Sequence, residues 1–341
     1  MQDMIDVATD QYISSDKLTV LAANNDKKIR CAVASNPSTP PEVLAALAND
    51  KEIGVRHKVA ANRNTPSYAL AKLANDSTMH YCIAHNPNTP PDILVRLAHD
   101  EDWEVRWATL DNPSTPPDAL AILAESVDPE IREVVARNWL TPPDVLAQLG
   151  EDKSEYVRWA AARNPATPPN ALVKLARDDD WSVRFQVAIN PSTPPEALAL
   201  LALDRTNNIR QRVAGHPNTP PDRLAQLALT TDIVTCRYLA SNLHTPPDVL
   251  IRLAENGDMY VCWAVAANPS TPSEVLVRLA RSENKWIQCG VAGNSGASPE
   301  ALAQLAESVD FAVRTNARRN LSNQLNNNIM ASSGDNMSRE M

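Results

Sequence analysis

The chain has 341 residues, 43% of them apolar, and a formal net charge of −9 at pH 7. Its length and apolar content suffice for a sizeable core, and its charge disfavours nonspecific binding to a phosphate backbone, which depends on clustered lysine and arginine. No segment approaches the roughly 18 apolar residues of a membrane-spanning helix, so we expect no membrane contact.

The N-terminal segment, residues 1–16, is acidic and contains no long apolar stretch. We therefore expect no signal peptide here, and we expect this segment to form the N-terminal cap of the repeats. The five cysteines are an odd number without CxxC spacing, which is typical of a reducing compartment. We expect a cytoplasmic protein.

Asparagine recurs every 26 residues through most of the chain, and self-similarity at a fixed short period predicts stacked supersecondary units. His216 takes one slot, and one step is only 24 residues long. The pattern predicts an all-α solenoid of about eleven to twelve two-helix repeats over residues 17–320, without β-sheet. The asparagine column is Asn36, Asn62, Asn86, Asn112, Asn138, Asn164, Asn190, Asn242, Asn268, Asn294 and Asn320.

The first helix of each repeat, helix A, follows a Thr-Pro-Pro sequence in most copies. Thr167 is typical: threonine is a favoured N-cap, and proline is tolerated in the first turn of a helix. Leu172 and Leu175 then lie three residues apart on one helical face. We predict a helix A of about ten residues with Thr as its N-cap.

The second helix, helix B, reads V-R-x-x-V-A and follows an aspartate ten residues before the asparagine. The aspartates are predicted N-caps: Asp26, Asp76, Asp102, Asp128, Asp180, Asp232, Asp258 and Asp310. Asparagine before proline leaves the α region and tolerates a left-handed C-cap, so helix B should end there after about eight residues. The asparagines would then form a capping ladder, although their amides could instead bind an extended peptide.

Both ends depart from the repeat pattern. Ser14, Ser15 and Asp16 replace the usual Thr-Pro-Pro-acid sequence, and residues 294–299 disturb the last copy. Residues 321–341 are polar and aperiodic, which predicts a disordered tail.

The unit NPxTPPxxLxxLAxDxxxxVRxxVAxN resembles the leucine-rich repeat variant family over residues 17–320. The resemblance implies a right-handed superhelix in which α-helices alternate with short 3₁₀-helices, so helix B could be partly 3₁₀. Some members carry an N-terminal cysteine-rich iron–sulfur module, but residues 1–26 here contain no cysteine. We predict no cofactor.

Twelve of the fifteen aromatic residues lie inside helix B. They either pack one repeat on the next or form a stripe on the inner surface, and Trp, Tyr and Arg are typical of binding hot spots. The residues that we predict to contact a partner are Tyr81, Trp107, Trp159, Phe185 and Trp263, with Arg106, Arg158 and Arg184.

An arginine recurs four residues after the helix B aspartate. The matched spacing favours a row of Asp–Arg pairs and Arg-to-carbonyl bonds that ties repeats together. The alternative is a row of guanidinium groups that binds phosphates or an acidic peptide.

The sequence contains no G-x-S-x-G, P-loop or H-E-x-x-H motif, so we predict no catalytic or metal site. Gly290, Gly293 and Gly296 resemble a glycine-rich loop, but they fall within the repeat register. We predict a non-catalytic, monomeric scaffold that binds a protein or peptide through its helix B surface. A nucleic-acid-binding solenoid of the HEAT type is the alternative, and an enzyme ranks last.

Overall fold

The computed structural model describes residues 2–229 and 232–337, and it divides into two compact units, Met1–Pro168 and Pro169–Met341. The described residues of both units contain helices and turns but no β-strand. This confirms the predicted all-α repeat fold. No helix in the described ranges is long and apolar enough to cross a membrane.

The described part of the first unit contains thirteen α-helices and one 3₁₀-helix. They are α1 (Gln2–Thr9), α2 (Ser15–Ala22), α3 (Lys27–Ser35), α4 (Pro41–Leu47), α5 (Ile53–Ala61), α6 (Ser67–Leu73), the 3₁₀-helix (Ser77–Met79), α7 (His80–Ala84), α8 (Pro91–Leu97), α9 (Trp103–Asp111), α10 (Pro117–Leu123), α11 (Pro129–Arg137), α12 (Pro143–Leu149) and α13 (Glu155–Arg163).

The described part of the second unit contains twelve α-helices. They are α14 (Pro169–Leu175), α15 (Trp181–Ile189), α16 (Pro195–Leu201), α17 (Asn207–Gly215), α18 (Pro221–Leu227), α19 (Ile233–Ser241), α20 (Pro247–Leu253), α21 (Met259–Ala267), α22 (Ser273–Ala280), α23 (Lys285–Gly293), α24 (Pro299–Leu305) and α25 (Phe311–Met337).

Helices A and B alternate as predicted, but their lengths differ from the prediction. Helix A typically has seven residues and helix B nine, as in α14 and α15. Among the described residues, the 3₁₀ conformation that the resemblance implies occurs only at Ser77–Met79. This is the 24-residue repeat, in which only two residues separate helix A from the capping Asp76 instead of the usual four.

The core consists of the leucines of helix A and the β-branched residues of helix B. In the first repeat of the second unit, Leu172, Leu175, Val183 and Val187 are all buried. A seven-residue helix is not stable alone in water, because nucleating it costs more than its few hydrogen bonds return. Stacking of these apolar faces on neighbouring repeats therefore stabilises the helices.

The threonine that recurs before the prolines of most repeats does not cap helix A, so this prediction is wrong. The Oγ1 of Thr167 donates to the carbonyl of Ala161 (2.5 Å), and that of Thr193 donates to Val187 (2.6 Å). These threonines are buried, and each satisfies a carbonyl at the end of the preceding helix B. In the last copy Ala297 takes this position.

The column asparagines form a ladder from repeat to repeat, which we call the Asn ladder. Asn268 is typical: its Nδ2 donates to the carbonyls of Ala240 (2.8 Å) and Asn242 (3.0 Å) in the preceding repeat. Its Oδ1 accepts from the backbone N–H of Ser270 (2.9 Å). With φ −75°, Asn268 is extended, and no described non-glycine residue has positive φ, so the predicted left-handed C-cap is wrong.

The first helix takes part in this ladder, because Asn36 donates to the carbonyls of Ala8 and Asp10 (both 2.8 Å). α1 thus stands where helix B of a preceding repeat would stand. Asn138 is an exception, because its amide nitrogen has no partner among the described residues.

The predicted tail begins inside α25, which continues through residues 321–337. Gln324 Nε2 donates to the carbonyl of Ala297 (3.0 Å), so the first turn of this extension contacts the last repeat. The structure thus differs from the predicted disorder over this range, because the helix continues where no Asn-Pro sequence ends it. Residues 338–341 of the predicted tail lie outside the described residues.

Candidate functional site

The arginine column mostly joins repeats within a unit. In Arg30, Nε donates to Asp50 (2.6 Å) and Nη1 to the carbonyl of Asn24 (2.8 Å). Arg184 binds Asp204 and the carbonyl of Asp178 (2.7 Å) in the same way, and both arginines are buried. The predicted kind of pairing is present, but the aspartate lies 20 residues after the arginine rather than four before it.

The aspartate four residues before the arginine caps helix B: Asp180 accepts from the backbone N–H of Ser182 (2.7 Å). The pairing lowers the pKa of the later aspartates. For Asp50, the hydrogen bond from Arg30 is the main cause. For Asp204, burial alone would raise the pKa, but the hydrogen bonds from Arg184 and Thr206 outweigh it.

The other two arginines of the predicted site bind backbone carbonyls. Nη1 of Arg106 donates to Asp100 (2.7 Å) and Glu101 (2.9 Å). Nη1 of Arg158 donates to Asp152 (2.8 Å) and Lys153 (3.1 Å). These bonds hold the turns between helices A and B.

The predicted aromatic residues of the first unit differ in exposure. Tyr81 is exposed, with its ring edge-on to His85 at 4.6 Å, and Trp107 is 36% exposed. Trp159 packs against the core, and the guanidinium of Arg163 lies 5.4 Å from its ring centre.

In the second unit, side chains fill the helix B surface over α15, α17 and α19, which we call the filled face. Arg212 lies between the rings of Phe185 (5.8 Å) and Tyr238 (5.6 Å), and its Nη1 donates to the Tyr238 hydroxyl (2.9 Å). Tyr238 rests on Gly215, where an added Cβ would lie 2.9 Å from the ring. Phe185 is therefore half-buried and covered.

The same surface is open over α21, α23 and α25, where it forms a concavity of about 830 Å³ that we call the open groove. Tyr260, Trp263 and Trp286 line it and are 52%, 45% and 57% exposed. Three apolar side chains in one groove, each about half exposed, are unusual for a surface without a partner. The remaining lining residues are Met259, Ala267, Cys289, Gly290, Gly293, Ala312 and Asn316.

A small residue at one position of helix B distinguishes this groove from the filled face. Four residues before the ladder residue, α17 and α19 have Arg212 and Tyr238, whereas α23 has Gly290. One residue before the ladder residue both surfaces have a glycine, Gly215 in the filled face and Gly293 in the open groove. Among the described residues, the open groove is thus the place where no large side chain of a neighbouring repeat covers these small residues.

The two glycines of α23 have different roles. An added Cβ on Gly290 would lie 2.9 Å from the Cβ of Ala266 and 3.3 Å from the carbonyl oxygen of Trp263, so this glycine permits close packing of α23 on α21. A Cβ on Gly293 would meet no heavy atom within 4 Å. Gly293 therefore leaves space that the groove occupies.

A polar groove of about 440 Å³ continues the open groove and shares Gly293 and Asn316 with it. Asn320 and Gln324 also line it, but their amides donate to carbonyls of the preceding repeat. Arg319 is the one charged residue among those that line the two grooves. It is exposed and has no hydrogen-bond or ion-pair partner among the described residues.

The sequence profile described as leucine rich repeat variant matches residues 28–52 and 83–102. Both segments contain the V-R-x-x-V-A or Asn-Pro-x-Thr-Pro-Pro pattern in part, in the register of the Asn ladder. These two segments are similar to leucine-rich repeat variant repeats. This confirms the predicted resemblance.

Two solved structures are similar to the chain. One, described as a leucine-rich repeat variant with a novel repetitive structural motif, is 24% identical over 71% of this chain and 85% of that chain, with a TM-score of 0.43. An engineered protein is 19% identical over 94% of this chain and 93% of that chain, with a TM-score of 0.28. No curated protein matches the chain.

Of the eight partner-contact residues predicted from the aromatic and arginine columns of helix B, the open groove contains only Trp263. Phe185 and Arg184 lie elsewhere in the second unit, and the other five lie in the first. Tyr260 and Trp286 are among the twelve aromatic residues of helix B, but the sequence pattern did not predict them as partner contacts. It also did not predict a role for the small residues of the groove. Gly290 and Gly293, three residues apart in one helix B, were the available signal.

The thiols of these repeats show no sign of activation. Burial raises the pKa of Cys289, which lines the open groove, and that of Cys82, whose Sγ lies 3.6 Å from His57 Nδ1. A raised pKa disfavours the reactive thiolate. Among the described residues, no group of three or more His, Cys, Asp or Glu is placed to hold a metal. The groove is suited to binding an apolar side chain.

Proposed function

We propose that this protein is a non-catalytic repeat scaffold that binds a protein or peptide through its helix B surface, with the open groove as the contact site. The observation that carries the proposal is the groove itself, where Tyr260, Trp263 and Trp286 surround an unfilled space. Tryptophan and tyrosine are enriched in binding hot spots, and a concave apolar site with a few polar groups suits an anchoring side chain.

The alternative, a nucleic-acid-binding solenoid that uses the arginine column, has less support. Arg106, Arg158 and Arg184 donate to carbonyls of their own turns, and Arg184 also pairs with Asp204. Guanidinium groups engaged in this way have fewer donors for phosphate. The net charge of −9 also opposes binding to a polyanion.

The aromatic residues of the first unit stay a prediction of a second contact region. Tyr81 and Trp107 are exposed enough to contact a partner, whereas Trp159 is covered on one side by Arg163. We also propose that the scaffold is cytoplasmic and monomeric. Sedimentation at several protein concentrations tests whether it is a monomer.

The proposal is tested by filling the groove without disturbing the core. A displayed library of random heptapeptides is selected on the wild type, and the enriched peptides are titrated by fluorescence polarisation against wild type and Gly293→Leu. The position is open, so the leucine should occupy the groove and displace the anchor. Losing an anchor worth about 1.5–3 kcal/mol weakens binding about tenfold or more.

Ala61→Leu is the matched control, because Ala61 is exposed and takes the same position in the last turn of helix B, in the first unit. It should leave binding unchanged. Circular dichroism and urea denaturation should show both variants folded, because replacing glycine in a helix does not lower helix propensity. If the enriched peptides bind Gly293→Leu as tightly as wild type, the open groove is not the contact site.

A further inference from the structure

We infer that the open groove takes a peptide in which a carboxylate follows a large apolar side chain by about three residues. The inference rests on the proposed function and adds the chemistry of the partner. Its basis is the juxtaposition of the aromatic groove with Arg319 in the polar groove that continues it.

Arg319 has no partner in the part of the chain that the structure describes, whereas three other arginines of α19 and α25 are engaged. Arg237 pairs with Asp258 (3.0 Å), and Arg318 lies 3.8 Å from Glu307. Arg314 donates to the carbonyl of Ser308. Arg319 has no partner among the described residues, which leaves its whole guanidinium fork available to a carboxylate.

The charges around the groove also favour an acidic ligand. The lining of the two grooves contains no acidic residue, although the chain as a whole carries −9. Asp310, at the start of α25, accepts from the backbone N–H groups of Ala312 and Val313 as a helix cap. Lys285 is a further cation at the aromatic end, where it lies 5.3 Å from the ring centre of Trp286.

Register along α25 sets the spacing of the ligand. Ala312, Asn316, Arg319 and Asn323 line the two grooves and recur at intervals of three or four residues, which places them on one helical face. Seven residues of helix separate Ala312 from Arg319, or about 10 Å. An extended peptide covers that distance in about three residues. Asn316 lies between them, and its amide can bond to the peptide backbone.

The test uses three fluorescein-labelled peptides that share the sequence Gly-Ser-Trp-Gly-Ser. One continues with Glu and ends in an amide, the second continues with Gln and ends in an amide, and the third ends at the serine with a free carboxylate. The first presents a side-chain carboxylate and the third a terminal one at nearly the same distance from the tryptophan. Binding is measured by fluorescence polarisation at low salt, up to about 1 mM protein.

We expect at least one acidic probe to bind about tenfold more tightly than the Gln probe, because charged hydrogen bonds contribute about 1.5–3 kcal/mol. Whichever acidic probe binds more tightly identifies the source of the carboxylate. Arg319→Gln should remove the advantage of the acidic probe and leave binding of the Gln probe unchanged, and Arg319→Lys should keep part of the advantage. Added salt should weaken the acidic probe selectively.

Other outcomes separate the two proposals. If all three probes bind equally and Gly293→Leu weakens all three, the carboxylate inference is wrong and the open groove remains the contact site. The inference is also wrong if Arg319→Gln weakens all three probes alike, or if neither acidic probe binds. If the probes bind but Gly293→Leu affects none of them, the proposed site itself is wrong.

Discussion

The filled face and the open groove lie on the same surface of neighbouring repeats in the second unit, yet one is closed and the other is not. Both are built on B helices with buried apolar residues, and in both the ladder residue bonds to a backbone carbonyl of the preceding repeat, as His216 does in the filled face and Asn294 in the open groove. Arg212 and Tyr238 close the first surface, and Gly290 and Gly293 leave the second open. A few outward-facing positions thus determine what the surface can bind, while the repeated inward-facing residues determine the fold.

The largest effect that should distinguish the two regions comes from the two glycines of α23. Gly290→Leu places a side chain against Ala266 and the backbone of Trp263, so overpacking should lower the free energy of unfolding by about 2–3 kcal/mol. The same change at Gly293 meets open space and should not destabilise the protein. Urea denaturation of the two variants is the measurement, and equal stabilities would contradict the assigned roles.

A second difference between the two surfaces is the ladder residue of α17 in the filled face, where His216 replaces asparagine. Its Nε2 bonds to the carbonyl of Asn190 (3.0 Å), and its Nδ1 accepts from the backbone N–H of Asn218 (3.1 Å). Nδ1 must therefore be unprotonated. Burial lowers the pKa of His216, although the bond to Asn190 opposes this.

Because the folded-state pKa lies below the unfolded value of about 6.5, the unfolded chain binds more protons as the pH falls. The stabilising contribution of neutral His216 is complete above that pH and is lost below it. We expect the free energy of unfolding to fall between pH 7 and pH 5. His216→Asn should abolish this component in urea denaturation at the two pH values. An unchanged pH dependence would show that another group causes it.

The smallest effect concerns Arg212, which covers the filled face. Arg212→Ala removes two cation–π contacts and the bond to the Tyr238 hydroxyl, but the guanidinium is exposed. We expect a loss of about 1 kcal/mol in urea denaturation. Peptides selected on the open groove should bind this variant as tightly as wild type. A parallel loss of binding would show that the two surfaces do not act independently.

The repeat fold could be predicted from the sequence because its determinants are local and recur. The buried Leu172 and Leu175 and the capping Asp180 act within one or two turns of their own positions. The role of Thr167 could not be predicted, because its acceptor, the carbonyl of Ala161, becomes accessible only through the turn between two helices. The aspartate partner of Arg184 was missed because it lies in the next repeat.

The open groove was harder to predict because it arises from missing side chains on successive helices. The prediction from the sequence favoured large residues, of which Trp263 lines the groove; that it contacts a partner stays a prediction. It missed Gly293 because a glycine contributes nothing to an aromatic stripe. A missing side chain leaves a groove only where the neighbouring repeat places no side chain in the same space. At Gly215 that space is filled by the ring of Tyr238 from the next repeat.

The Asn ladder also bears on how such a chain can change in length. Most ladder asparagines bind backbone carbonyls of the preceding repeat, as Asn294 does with Ala266 (2.8 Å) and Asn268 (2.8 Å). Backbone carbonyls are the same whichever residue provides them, so a duplicated or deleted block of one period presents equivalent acceptors at the new junction. The ladder bonds are also kept across the shorter 24-residue step, since Asn86 donates to the carbonyls of Ala60 and Asn62 in the same way. Whole repeats, with whatever binding surface they carry, are therefore interchangeable units of inheritance.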